Sequence, residues 1–228
     1  MSMTASPELF VLCAGGHARV LIDILRRSGR TVSGLTDDDT ALHGTALDDV
    51  PVVGADKFLF ARGAGEVLLV NALGNRPRTG DAGLGPRRDL FARFKDKGYR
   101  FESVISPDAK VSARALLNEG AQVVTGAIVH PGCLIGANTI INTGAQIDHD
   151  CRIGEHCHIA PGAILCGGVT IGEECHVGAG SVVVPGVTIG AGALIGAGAT
   201  VVTDVPAGAT VLGKTIRTGR DRPEWLQP

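Results

Sequence analysis

Nearly half of this 228-residue chain has no aromatic side chains. From Val104 to Val205 there is no Phe, Tyr or Trp, and only eleven residues are charged, eight acidic and three basic. All eight aromatics and the other 33 charges lie outside that stretch. So sharp a change of composition reads as a domain boundary. No sign of charge dominates either: 21 Lys and Arg face 23 Asp and Glu, for a formal net charge of −2. That balance suggests no basic surface of the kind by which proteins hold nucleic acid or anionic lipid. No apolar run approaches the ~18 residues of a membrane-spanning helix, so no membrane partner is expected. The opening MSMTASPELFVLC lacks the basic start and long apolar stretch of a signal peptide. A cytoplasmic protein is therefore expected.

The aromatic-free half has a period of six. Every sixth residue from Ile105 to Val201 is aliphatic, seventeen in succession without a phase slip. Four positions after each comes a small or compact residue (Ala, Cys, Thr, Ser or Val), and Gly often follows the aliphatic directly, as in LIGANT, TIGEEC and LIGAGA. A hexapeptide period marks a parallel β-helix. Each hexad supplies a short strand with its aliphatic inward, then a tight corner where Gly, Asn and Asp accept the turn's backbone angles. Three hexads close one triangular coil, so about six coils are expected. At the strand spacing of ~4.8 Å the prism should stand roughly 25–30 Å tall. Its narrow interior leaves no room for aromatic rings. Cys133, Cys151, Cys157 and Cys175 share the inward phase of the small residues, which reads as structural thiols in the core rather than a disulfide framework.

The first segment reads as a small α/β unit. LFVLCA is an apolar strand, and ARVLIDILRRSG has helical periodicity, with Val20, Leu21, Ile24 and Leu25 on one stripe and Gly29 as its stop. TVSGLTDDD and residues 67–75 read as further strands, 87–98 as another helix, and YRFESVI as the lead into the repeats. The order strand, glycine loop, helix, strand predicts a Rossmann-like half-domain over 1–103. A β-helix domain over 104–206 and a C-terminal tail over 207–228 would follow.

Gly15 and Gly16 sit between the first strand and helix, where phosphate can approach free N–H groups. Asp37 and Asp38 follow at the distance of a ribose-binding acid. The full G-x-G-x-x-G is not met, since Cys13 and Ala18 replace its first and last glycines. The loop is open to three readings: a merely structural turn, a mononucleotide or sugar-nucleotide site, or a dinucleotide site. His17 is likewise divided between packing at the helix start and touching a ligand.

The repeats carry His130, His149, His156, His158 and His176. Acyl transfer needs a base that is neutral near pH 7, which histidine supplies. His149 falls at a corner between Asp148 and Asp150, carboxylates able to orient its ring and stabilise an imidazolium. In any other exposed setting the same cluster would read as ordinary solvated turn polarity. His158 and His176, eighteen residues apart, should stack on consecutive coils. Their neighbours Cys157 and Cys175 invite a metal reading. Alternation along a strand turns the cysteines inward and the histidines outward, so one tetrahedral site cannot gather them. No metal is expected.

Together these stretches resemble the bacterial sugar-nucleotide N-acetyltransferases related to PglD and PerB, with the NeuD-type sialic acid O-acetyltransferases close by. The resemblance covers almost the whole chain and rests on CAGGHARV (13–20), Leu35–Asp38, ALGNR (72–76), INTGAQIDHDCRIG (141–154) and HIAPG (158–162). It implies a left-handed β-helix and a homotrimer with acetyl-CoA between neighbouring helices. It also implies a nucleotide-linked amino sugar, a 4-amino-4,6-dideoxyhexose, on the N-terminal domain. By position it assigns His149 as catalytic base with Asp150 beside it. His158, Gly167 and Gly213 fall to acetyl-CoA, and Gly15, Gly16, His17, Asp37, Asp38 and Asn75 to the sugar nucleotide. The family often ends in Gly-x-Pro-Ala-Lys/Arg; here Gly213 is followed by Lys214-Thr215-Ile216-Arg217, which leaves the contacts to the CoA adenine open. His149 and His158 lie at different corners, so a site using both would draw them from different subunits. A sugar O-acetyltransferase and a non-enzymatic sugar-nucleotide-binding module remain as alternatives.

Overall fold

Apolar runs and glycine turns build the first unit as the patterning implies. In the computed structural model, which describes residues 6–75, 77–78 and 80–212, strand β1 (Glu8–Leu12) leads into helix α1 (Gly16–Arg27). The helix ends on Gly29 at φ +73°, where the N–H of Arg30 donates to Leu25 O and that of Gly29 to Arg26 O. This paired closure needs a left-handed residue. The buried stripe of α1 runs through Leu21, Ile22, Ile24 and Leu25; Val20, expected on it, is 40% exposed.

Strands β2 (Gly34–Thr36), β3 (Ala46–Leu47), β4 (Val50–Gly54), β5 (Val67–Asn71) and β6 (Arg100–Phe101) complete a sheet of order β3-β4-β2-β1-β5-β6. It is parallel except for the β3–β4 hairpin. The sequence reading does not anticipate that hairpin. Its strands are short, and Pro51 weakens the run. Helix α2 (Lys57–Phe60) is a single turn. Helix α3 (Gly85–Lys95) packs Leu90, Phe91 and Phe94 on one side of the sheet. On the other side, α1 lies between the sheet and the β-helix, its Ala18, Leu21 and Leu25 clustering with Val104, Val124 and Ile140.

The repeats form eighteen two-residue strands in three parallel sheets, the faces of a triangular prism. The first face starts at Val104–Ile105, the second at Lys110–Val111 and the third at Leu116–Leu117. Pairing such as Val123↔Ile141 and Ile159↔Val177 keeps the eighteen-residue register. The inward aliphatics are buried from Val123 onward. Ile105 is 41% exposed, and Val111 and Leu117 are half-buried, because the first coil caps one end of the prism. At the other end Thr210–Val211 pairs with Leu194–Ile195. The first face therefore continues into the segment expected to be tail.

The interior cysteines do more than fill space. The thiols of Cys133, Cys151, Cys157 and Cys175 donate to the carbonyls of Asp148, Cys166, Gly172 and Gly190 at 3.0–3.2 Å, each fifteen residues ahead. Thr139 does the same to Gly154 at 2.8 Å. Each bond gives a buried thiol or hydroxyl a backbone acceptor. Gly136, Gly154, Gly172 and Gly190 form a column in which an added Cβ would fall within 2.7 Å of backbone in the next coil.

Candidate active site

His149 and Asp150 are the two turn residues between a second-face strand and the next third-face strand. Three features make this corner unlike its neighbours. Asp150 holds φ +59° where the equivalent residues Gly132, Gly168 and Gly186 are glycines at +69° to +80°. An aspartate tolerates that region only with some strain, and such strain concentrates at functional sites. The Asp150 carboxylate accepts from His149 Nδ1 at 2.9 Å, while Asp148 accepts the backbone N–H of His149 at 2.8 Å. Finally, Gly167, one coil along, leaves room for the ring: a Cβ there would lie 2.6 Å from His149 Nε2. The hydrogen bond to Asp150 and the charge of Asp148 raise the His149 pKa. The result is an imidazole with Nδ1 tethered, Nε2 without a hydrogen-bond partner among the described residues, and the side chain 63% exposed.

A cavity of about 680 Å³ opens at the carboxyl ends of β1, β2 and β5, the usual ligand position of an open α/β sheet. Gly15, Gly16, His17, Asp37, Asp38 and Asn75 all line it, so the structure brings the six expected sugar-nucleotide residues together. A Cβ on Gly15 or Gly16 would meet nothing within 4 Å; these glycines border open space rather than protein. Asp37 ties two loops, accepting from the N–H of Ala14 at 2.8 Å and of Asp39 at 2.9 Å. Cys13, also in the wall, sits at φ +72°, its thiol pKa pushed up to about 12 by burial and by Asp37. Asp56, held by Thr36 and Arg93, is a lining residue that the sequence reading missed.

His17 is a half-buried neutral group. Gln122 donates through its amide to Asn71 O at 2.7 Å, which turns its Oε1 toward His17 Nε2 at 2.8 Å. The proton of His17 therefore sits on Nε2. Burial and the charge of Arg87 lower its pKa to about 4, so at neutral pH it cannot act as a cation toward phosphate. Arg87 is wholly buried, donating Nε to Asn138 O and Nη1 to the carbonyls of Asn71 and Leu73. It clamps the loop after β5 to the β-helix.

His158 and His176 are paired strand neighbours on the first face, ring centroids 5.1 Å apart. They point out of the prism as alternation requires, yet the N-terminal unit covers them, and His176 is only 8% exposed. His158 Nδ1 bonds to Asn75 Oδ1, and its Nε2 accepts from Asn142 at 2.9 Å. Burial, followed by His176, His17 and Arg87, depresses its pKa to about 3. The corner of His149 joins the second and third faces and so lies opposite the first. Within one chain, then, His149 and His158 stand on opposite sides of the prism, Gly167 goes with His149, and Asn75 goes with His158. Gly213 lies outside the described residues. Among the described residues no cluster of three or more His, Cys, Asp or Glu could hold a metal ion.

Comparison with known proteins accords with this geometry. Residues 8–78 match the PglD N-terminal domain model, and 132–167 and 168–203 match the bacterial transferase hexapeptide (six repeats) model. No curated protein sequence matches. The fold superposes with TM-score 0.81 on a histidine-to-asparagine variant of perosamine N-acetyltransferase from Caulobacter crescentus in complex with CoA and GDP-perosamine. The two are 39% identical over 92% of this chain and 95% of that one. The chain belongs to the PglD/PerB-like acetyltransferase family. With membership comes the left hand of the coil. The acetyltransferase domain of PglB from Neisseria gonorrhoeae, in complex with acetyl coenzyme A, is 32% identical (TM-score 0.81, covering 92% and 97% of the two chains). WeeI from Acinetobacter baumannii is 26% identical (TM-score 0.79, covering 90% and 96%). Gln122, Asn142, Arg87 and the tie from Asn75 to His176 were absent from the sequence reading. Asn142 and Asn75 fall within the matched stretches 141–154 and 72–76, but their bonds are not readable there, and no motif marks Gln122 or Arg87, because the partners are 16 to 105 residues away in sequence.

Proposed function

We propose that this chain is an acetyl-CoA-dependent N-acetyltransferase acting on a nucleotide-linked 4-amino-4,6-dideoxy sugar. The observation that carries the reading is the tethered His149, its Nε2 without a partner among the described residues, beside the space that Gly167 leaves open. A sugar ammonium must lose a proton before its nitrogen can attack a thioester. His149 Nε2 takes that proton, Asp150 holds the ring and balances the imidazolium, and a backbone N–H at Gly167 meets the oxyanion. That first proton is released to solvent. As the C–N bond forms, the nitrogen gives a second proton to Nε2, which passes it to the departing thiolate as the C–S bond breaks, and CoA leaves as the thiol. The cavity over β1, β2 and β5 holds the sugar nucleotide, with phosphate at the start of α1.

The opposition of His149 and the first face supports an assembly in which the His149 corner of one subunit meets the cavity and His158 of its neighbour. A homotrimer provides three such junctions. Mixed trimers of His149→Ala and His158→Ala chains should then regain activity that neither homotrimer has; wholly inactive mixtures would count against the shared site.

The test is release of free CoA from acetyl-CoA against a panel of UDP-, GDP- and dTDP-linked 4-amino sugars, with His149→Ala beside the wild type. Turnover on one amino sugar that collapses in the variant supports the reading. Turnover only on sugar hydroxyls, or ligand binding without CoA release, would overturn it.

A further inference from the structure

The hydrogen bonds beneath the cavity form a chain whose direction is fixed at both ends. At one end the carbonyl of Ala82 can only accept, and it faces Asn75 Nδ2 at 3.2 Å. This orients the Asn75 amide. The same Nδ2 lies 2.8 Å from His176 Nδ1, so that ring nitrogen is an acceptor. Asn75 Oδ1 faces His158 Nδ1, so Nδ1 of His158 carries the proton. At the other end the backbone N–H of Thr143 can only donate, and it meets Asn142 Oδ1 at 2.8 Å. Asn142 Nδ2 is thereby turned to His158 Nε2 at 2.9 Å, which must accept. The two ends assign the same tautomer to His158. Its alternative would set two donors against each other at Nε2 and two acceptors at Nδ1.

We propose that His176 is a positioning residue: with Ala82 it pins the amide of Asn75 and so, beside the separate hold of Asn142, helps fix His158 as the Nδ1–H tautomer. Two consequences follow for the cavity. Asn75, which lines it, has both N–H bonds engaged and offers only Oδ1, an acceptor suited to a hydroxyl or amine of the ligand. His158 has no N–H to offer beyond the one given to Asn75. The pairing is private to this face of the prism. His176 occupies a column whose other outward residues include Ile140 and Leu194, so the position itself tolerates an aliphatic side chain. Burial lowers the His176 pKa to about 4, which keeps Nδ1 available as an acceptor at neutral pH.

The kinetic side of this proposal rests on the acetyltransferase reading, whereas the tautomer does not, so the two can fail separately. The full-length protein labelled with 15N-histidine would be examined by long-range 1H–15N correlation without substrate, His158 being assigned by the signals missing in His158→Gln. The wild type should show a protonated Nδ1. With the second hold removed by Asn142→Leu the preference should survive; adding His176→Leu should weaken it, and adding His176→Asn instead, whose Oδ1 replaces the lost acceptor, should keep it. In the CoA-release assay kcat/KM for the sugar nucleotide should fall about tenfold in His176→Leu, the worth of one hydrogen bond, and recover in His176→Asn. A wild-type His158 protonated on Nε2 overturns the proposal whether or not the variants fold. So does an Asn142→Leu/His176→Leu protein with the same tautomer preference as Asn142→Leu alone, or a His176→Leu protein with unchanged kinetics.

Discussion

Replacing Gly167 by alanine isolates the space that the catalytic corner needs. Gly167 is not in the left-handed region, so an added methyl strains no backbone. It would, however, lie 2.6 Å from His149 Nε2 and 2.7 Å from Cε1, where ordinary carbon contacts are ~3.5–4.0 Å. The ring must therefore give way by roughly 1 Å, a displacement that costs on the order of 10²-fold in rate when it moves a reacting atom. That corresponds to about 2.7 kcal/mol of activation free energy. Folding should hardly notice, because the side chain is 63% exposed and can swing into solvent. Steady-state CoA release should fall about a hundredfold while the urea midpoint stays at the wild-type value. A histidine titration by NMR should show the His149 pKa falling as the ring leaves Asp150. Near-normal turnover in Gly167→Ala, with the ring still on Asp150, would refute the reasoning.

Asp150→Asn removes the group that contributes most to the raised His149 pKa. The base works only when neutral, so activity is lost as pH falls through that pKa. In the variant the acid limb of the kcat/KM profile should shift to lower pH while its plateau drops. An acid limb that does not move would separate His149 from the chemistry. Gly154→Ala should act on stability instead, since its Cβ would meet the backbone of Gly172 and Glu173 at 2.7 Å and neither can yield. A loss of about 1–3 kcal/mol is expected, and a urea midpoint equal to wild type would contradict it. Thiol titration of the native protein near pH 8 should find Cys166 reacting fast. Cys13 should lag, its thiol held near 12, and the four interior cysteines should react only on unfolding. Rapid labelling of any interior thiol would show that the prism opens.

Much of the architecture was legible because a β-helix writes its geometry into its sequence. One residue in six meets the same neighbours, and the register follows from repetition alone. The corner of His149 was readable for that reason: position in the hexad gives the face, and the flanking acids give the partner. The glycine column was visible as a pattern, but its cause is the backbone of the next coil. The N-terminal unit was less transparent. The β3–β4 hairpin hides behind Pro51, and Val20 fits a helical stripe as well as Ile22 does until the sheet settles which side is buried.

What the sequence alone determined is local or periodic: the prism, the glycine loop after β1, the cysteines turned inward and the Asp150–His149 pair. Tertiary structure alone decided what lies on the first face. His158 and His176 read as outward-pointing, and so they are, but the docked N-terminal unit covers them. There Asn75, 83 and 101 residues away in the chain, bonds to both rings. Periodicity reports which way a side chain points. Only the folded neighbour determines whether water, a ligand or another domain stands there, and with it the proton that the side chain keeps.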